Sequence, residues 1–180
     1  LQKLQTEYLD AFLVHWPGQD KARMLDTWKA MEHLYKKGKV KSIGVCNFEI
    51  SQLTYLLEHC EIKPMIDQVE HTPLMHDEKL ISFCKENNIQ IMSWGPLLRG
   101  NLENKKMEEI AEKYNKTTAQ LLLRWNIQQG IIPIPKSKNE QRLQQNIDVF
   151  DFEITKEDME ELNHMNENHR TSFDPLTFDF

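Results

Sequence analysis

Ile131 to Phe152, IIPIPKSKNEQRLQQNIDVFDF, is an apolar run with two prolines that delivers Lys136 and Ser137 and passes at once into a short amphipathic segment. Ser137 stands three residues before Glu140, the spacing of a capping box, so a helix is expected to begin there. Its first N–H groups and the positive end of its dipole would point at whatever lies above Ser137. With Lys136 beside them, they make a seat for a phosphate. Arg142 and Asn146, four apart, share one face of the same helix. The same residues also suit an ordinary strand-to-helix turn with a surface lysine, and taken alone they favour that plainer reading.

If Ile131 to Pro135 is a strand feeding a helix, the chain before it should alternate in the same way, and it does. Tyr8 to Trp16, YLDAFLVHW, is a β-rich apolar run ended by Pro17 and Gly18. Met24, Trp28, Met31 and Tyr35 then recur at helical spacing and stop at Gly38. Ser42 to Phe48 reads as a second strand, followed by a helix from Ser51 to Cys60. Met65 to Glu70 is a third strand, followed by a helix that Asp77 can cap and that ends near Asn88. Ile89 to Trp94 is a fourth strand, stopped by Gly95 and Pro96. Two helices follow it, one holding Met107, Ile110, Ala111 and Tyr114, the other running from Thr118 to Gly130. A last helix starts after Thr155, where Thr155 and Asp158 form a capping pair. Five strands each followed by a helix predict a parallel sheet with right-handed crossovers. They are too few to close an eight-stranded barrel by themselves. A doubly wound sheet is the rival, but no G-x-G-x-x-G follows the first strand.

Composition narrows the function. The chain has 180 residues, 39% of them hydrophobic and 28% charged, as expected of one globular domain over residues 1–180. A formal net charge of -6 argues against nucleic acid or an anionic membrane as partner. The basic run KKGKVK, Lys36 to Lys41, sits where a helix ends, and lysines there complement the dipole. Cys46, Cys60 and Cys84 are odd in number without close spacing, which indicates neither a disulfide framework nor a metal site and makes a cytoplasmic location the default. His59, His71 and His76 show no metal-ligand spacing. No apolar run approaches the roughly 18 residues of a membrane span, and no signal peptide is visible. The chain opens on LQKLQTEYLD, which resembles the last turn of an amphipathic helix with Leu1 and Leu4 on one face, so further sequence is expected ahead of it.

HW after the first strand, GVCNF after the second, DQVEHTP after the third, WGPL after the fourth, and IPKS with RLQQN after the fifth occur in the order of the signatures of the aldo-keto reductases, and across essentially its whole length the chain resembles that family. The resemblance implies a (β/α)8 barrel of the TIM type that reduces aldehydes and ketones with NADPH, its site at the carboxyl ends of the strands. On that alignment the chain supplies strands four to eight, the C-terminal helices and the tail.

The resemblance also implies roles. His15 is similar to the active-site histidine that directs the substrate carbonyl, and Trp16 would line the substrate pocket. Asn47 and Gln68 match the pair that hydrogen-bonds the nicotinamide carboxamide. Cys46 replaces the more usual serine beside Asn47 and bonds more weakly, and Asp67 replaces a frequent asparagine. Trp94 takes the aromatic position on which nicotinamide stacks, and Leu97 and Arg99 would lie along the pyrophosphate. Lys136, Ser137, Asn139 and Arg142 resemble the pocket for the 2′-phosphate, the basis for preferring NADPH to NADH. Arg142 can also stack on adenine. Asn146 would bond the adenine edge, and Gln145 stands where an acidic residue is common. A metal is not implied.

The family's general acid is a tyrosine assisted by a lysine and an aspartate, which on this alignment precede Leu1. Tyr8, Tyr35, Tyr55 and Tyr114 fall on predicted helices or at the wrong end of a strand, so the 180 residues alone are expected to be catalytically feeble. A silent NADP(H)-binding or regulatory module and an inert truncation product are the alternatives. Open sheet edges would favour self-association. Substrate choice rests on the loops after Trp16 and Leu97 and on the tail from Thr171, where Phe173, Phe178 and Phe180 can line a pocket for an apolar aldehyde or dock on the barrel.

Overall fold

The computed structural model describes residues 1–179; Phe180 lies outside them. Five strands form one parallel sheet in the order β1-β2-β3-β4-β5. They are β1 (Phe12–Val14), β2 (Ile43–Cys46), β3 (Ile66–Glu70), β4 (Gln90–Trp94) and β5 (Ile132–Ile134). The helices are α1 (Lys21–Lys36), α2 (Ile50–His59), α3 (Glu78–Glu86), α4 (Lys105–Lys113), α5 (Thr118–Gln128), α6 (Glu140–Ile147) and α7 (Lys156–Asn163). The chain divides into two compact units, one of Leu1–Val69, Glu78–Ile91 and the tail from Thr171, the other of Glu70–Asp77 and Met92–Arg170.

In the first unit, Asp20 starts α1 by accepting the N–H groups of Ala22 at 2.9 Å and Arg23 at 3.1 Å. Met24, Trp28 and Met31 then fall on one face and are buried. Gly38, at φ 67°, ends the helix in the left-handed region. All four residues of β2 are buried, as a strand covered on both faces requires. A side chain at Gly44 would begin 2.6 Å from the Ile66 carbonyl oxygen, so β2 needs glycine to lie this close to β3. The strand expected from Tyr8 is shorter than its apolar run. Leu9 makes an isolated bridge to Val40, and regular pairing resumes only at Phe12 opposite Ile43. The opening segment is a single 3-10 turn, Gln2–Leu4, with Leu1 and Leu4 exposed.

The second unit packs around Met107, Ile110, Leu121, Leu122, Trp125 and Leu162. Trp125 is fully buried and donates its indole N–H to Asn163 Oδ1 at 2.9 Å. Burying an aromatic ring of this size removes roughly 150–250 Å² from water, on the order of 4–6 kcal/mol as an upper estimate. Thr117 and Gln120 form the capping box of α5. Thr155 caps α7 by accepting the Asp158 N–H. The outer strands expose apolar side chains: Phe12 on β1, Ile132 and Ile134 on β5.

Candidate functional site

The first unit carries one group of the residues singled out in the sequence. Cys46 and Gln68 are partners in register on β2 and β3, and the Asn47 N–H donates to the Gln68 carbonyl at 3.0 Å. Asn47 takes φ 60°, a left-handed conformation that asparagine tolerates better than most residues. This turn aims its side chain back across the strand end, where Nδ2 donates to the His15 carbonyl at 3.1 Å. His15, directly after β1, is exposed, and Trp16 is half-buried. Residues 32 and 53 positions apart from His15 in sequence thus meet at the carboxyl ends of three neighbouring strands.

The thiol of Cys46 is pushed up to about 12 by burial and by the Asp67 carboxylate. It therefore acts as a neutral, weak donor. Asp67 is fully enclosed, and neither carboxylate oxygen has a hydrogen-bond partner. Burial holds its carboxyl well above the usual range; the dipole of the nearby Phe48 N–H, which falls short of hydrogen-bond geometry, opposes this in part, and the Glu49 charge adds to the rise.

The tail supplies an aromatic wall that sequence patterning left open. Phe178 lies 4.8 Å from Trp16 between ring centres and stacks on Phe173 at 4.4 Å and 10°. A cavity of about 330 Å³ opens beside Trp16, with Asp179 on its wall. Two glutamines hold the tail. Gln19 Nε2 donates to the Phe178 carbonyl at 3.0 Å, and Gln52 Nε2 donates to the Pro175 carbonyl at 3.0 Å. Gln52, the third residue of α2, closes its capping box, but nothing in that box or around Gln19 points to the tail, so only the folded arrangement reveals these bonds.

The second unit gathers the other group around a cavity of about 690 Å³. Leu97 and Arg99 line it from the loop after β4, and Lys136, Ser137, Arg142, Gln145 and Asn146 line it from β5 and α6. Trp94 and Asn139 are not on its wall, although the Arg99 guanidinium reaches to 5.5 Å from the Trp94 ring centre. Thr117, Thr118 and Ala119 at the start of α5 also line it; sequence reasoning did not single them out, although the T-x-x-Q spacing from Thr117 to Gln120 is a signal that marks this helix end. Among the described residues, no ion pair engages Arg99, Lys136 or Arg142.

One expectation is corrected here. The helix does not start at Ser137. Asn139 is the N-cap, and its Oδ1 accepts the Arg142 N–H at 3.0 Å. Ser137 Oγ instead accepts the Asn139 N–H at 3.1 Å. Asn139 has the better geometry for the cap because its carbonyl already accepts the Leu143 N–H at 3.0 Å. The helix therefore begins two residues later than the Ser-x-x-Glu pattern suggested, and the Lys136–Ser137 segment is a loop above its end.

Parallel strand-helix units with polar groups at their carboxyl ends define an α/β protein of the barrel type, where ligands meet the strand ends. The chain belongs to the Aldo/keto reductase family, whose sequence model matches residues 1–167. It is 47% identical over 176 residues to a glyoxal reductase of Bacillus subtilis (strain 168), covering 97% of this chain and 63% of the relative. An aldo-keto reductase from a Medee basin deep-sea metagenome library superposes with a TM-score of 0.95 at 38% identity, covering 100% of this chain and 68% of that one. An aldo-keto reductase of Bombyx mori solved in complex with NADP gives a TM-score of 0.87 at 37% identity, covering 94% and 61%. The chain thus spans just under two thirds of the length of the first of these relatives.

Proposed function

We propose that these residues form the cofactor-holding and carbonyl-directing part of an NADPH-dependent aldehyde or ketone reductase. The observation that carries this is the 690 Å³ cavity, on which seven of the residues predicted from sequence converge and at which three cations hold no protein counter-ion among the described residues. A nucleotide phosphate would complete such a set. On this reading Lys136, Ser137, Asn139 and Arg142 take the 2′-phosphate, Gln145 and Asn146 meet the adenine, and Leu97 and Arg99 follow the pyrophosphate. Trp94 offers a stacking face, Asn47 and Gln68 offer amides to the carboxamide, and Cys46 contributes a weak contact. NADPH, when bound, supplies the hydride. His15 directs the carbonyl oxygen and Trp16 walls the substrate pocket.

The chain is read as one domain, strands four to eight of such a barrel. The resemblance to a glyoxal reductase supports small, reactive carbonyl compounds as substrates. Three free cysteines support a reducing, cytoplasmic setting. The apolar side chains on β1 and β5 support association of sheet edges with a partner or a second copy.

A second reading, cofactor binding without chemistry, is favoured for the 180 residues by their tyrosines. Tyr114 donates to Asp158 and accepts the Thr155 N–H, Tyr8 lies under Lys41, and Tyr55 packs on His59. The test is a fluorescence titration with NADPH, followed by NADPH oxidation with glyoxal as substrate. Quenching without turnover is the expected pair of results. Fast turnover would place the proton donor within these residues, and no quenching would remove the cofactor reading.

A further inference from the structure

We propose that Gln52 is a positioning residue that ties the Asn47 turn to the C-terminal tail and thereby sets the aromatic wall over Trp16. The inference rests on the reading above that Trp16 lines the carbonyl pocket. Gln52 uses both ends of its amide. Its Oε1 accepts the N–H of Glu49 at 2.9 Å, two residues beyond Asn47, and its Nε2 donates to the Pro175 carbonyl at 3.0 Å, 123 residues along the chain. Pro175 is buried and has no N–H of its own, so its carbonyl is its only backbone anchor. Three residues later Phe178 meets Trp16, while Gln19 fixes the Phe178 carbonyl at 3.0 Å. Within the tail, Asp174 closes a turn by accepting the N–H groups of Leu176 at 3.0 Å and Phe178 at 2.8 Å.

The tail thus meets the body of the unit through the Gln52 amide on the Pro175 carbonyl, the Gln19 amide on Phe178 with a longer reach of 3.5 Å to Pro175, the Gln19 N–H on Asp179 Oδ1 at 3.3 Å, and the contacts of Trp16 with Phe173 and Phe178. Its own turn fixes the spacing from Pro175 to Phe178, so holding Pro175 places the ring. The wall that results is apolar, with Trp16 tilted 57° to Phe178 and 66° to Phe173. It offers apolar contact to carbonyl compounds that carry an aromatic or branched group, in addition to the small, reactive ones proposed above. It also makes the position of this wall depend on the same segment that carries Asn47.

The discriminating substitution is Gln52→Glu in the 180-residue chain. It keeps an oxygen to accept the Glu49 N–H, and an acid at this helix position suits the capping box. It removes the only donor that Gln52 offers to Pro175. Hydrogen exchange followed by mass spectrometry should show residues 171–179 exchanging about two- to tenfold faster, the range for a net hydrogen bond, with α2 unchanged. Gln19→Glu, at an exposed position, should give the same increase confined to the tail and serves as the second variant if Gln52→Glu does not fold. Unchanged tail exchange, or loosening of α2 together with the tail, overturns the proposal. Protection of residues 95–146 by NADPH is read in the same experiment. Its absence would remove the cofactor reading while a loosened tail still upheld the role of Gln52.

Discussion

The guanidinium of Arg99 lies 5.5 Å from the centre of the Trp94 ring. It is held there by an unusual loop. Leu98 and Arg99 both take positive φ, 50° and 54°, within a single 3-10 turn, Leu98–Gly100. An exposed cation over an aromatic face is worth about 0.5–1 kcal/mol, whereas a charge-assisted bond to a phosphate is worth about 1.5–3 kcal/mol. On the proposed reading, a nucleotide phosphate would outcompete the ring for Arg99 and free the face of Trp94. Arg99→Ala should weaken NADPH binding about 10- to 100-fold, and the loss should shrink at high salt. An unaltered dissociation constant in a tryptophan-fluorescence titration would leave Arg99 as a solvated loop residue.

Lys136 stands at the mouth of the same cavity, exposed and two residues beyond β5. A cation in this place separates NADPH from NADH only if it meets the 2′-phosphate. Lys136→Glu should therefore abolish the preference, lowering affinity for NADPH on the order of 100-fold while leaving NADH within a few-fold. Paired titrations with the two cofactors measure it, and an unchanged ratio would return Ile131 to Phe152 to a plain strand-to-helix turn.

Much of this arrangement was written in local sequence, and its misreadings have physical causes. The alternation of strands and helices was legible because the apolar runs are bounded by glycine, proline or a capping side chain, as at Pro17, Gly38 and Thr155. Asn47 and Gln68 were legible only through the family signatures, since nothing in their spacing says that β2 and β3 are neighbours. The start of α6 was misplaced because Ser137 and Asn139 both precede plausible third partners. The residue whose carbonyl opens the helical ladder wins, and that depends on backbone geometry. Leu9 to Ala11 read as strand from their apolar pattern, yet β1 pairs only through Phe12, Leu13 and Val14. The bonds from Gln19 and Gln52 to the tail left no trace in sequence, because a glutamine amide gripping a distant carbonyl has neither period nor motif.

Asp67 gives the first unit a stability that falls as pH rises. Its carboxyl is enclosed without a hydrogen bond, and burial raises its pKa well above the usual carboxylate value. In the unfolded chain it ionises near pH 4, so above that value the unfolded state holds fewer protons than the folded one. The contribution is full below the unfolded pKa and is lost as pH rises toward the folded value. Asp67→Asn removes this slope. It should match the natural chain near pH 4 and be more stable than it at pH 7, because the amide has no proton to lose on unfolding. Urea unfolding of both proteins at the two pH values decides it, and a variant less stable at pH 7 would show that Asp67 has a partner that it needs.

His71 gives the second unit the opposite slope. Its ring is stacked on Trp125 at 4.6 Å and 13°, with His76 edge-on at 5.7 Å and Gln129 Nε2 at 3.5 Å from its Nε2. Burial first, and His76 second, lower its pKa from 6.5 to about 3. The folded state therefore keeps this ring neutral while the unfolded chain takes up a proton below pH 6.5. The contribution is full above that value and is lost as pH falls toward 3. His71→Phe retains a ring for Trp125 and has nothing to protonate, so its stability should fall less between pH 6.5 and pH 4 than that of the natural chain. Thermal unfolding across that interval tests the point. Because Asp67 penalises the neutral range and His71 the acid range, the double variant Asp67→Asn, His71→Phe should show a flatter pH profile than either single one. Parallel slopes in the natural and His71→Phe chains would mean that the acid limb belongs to carboxylates elsewhere.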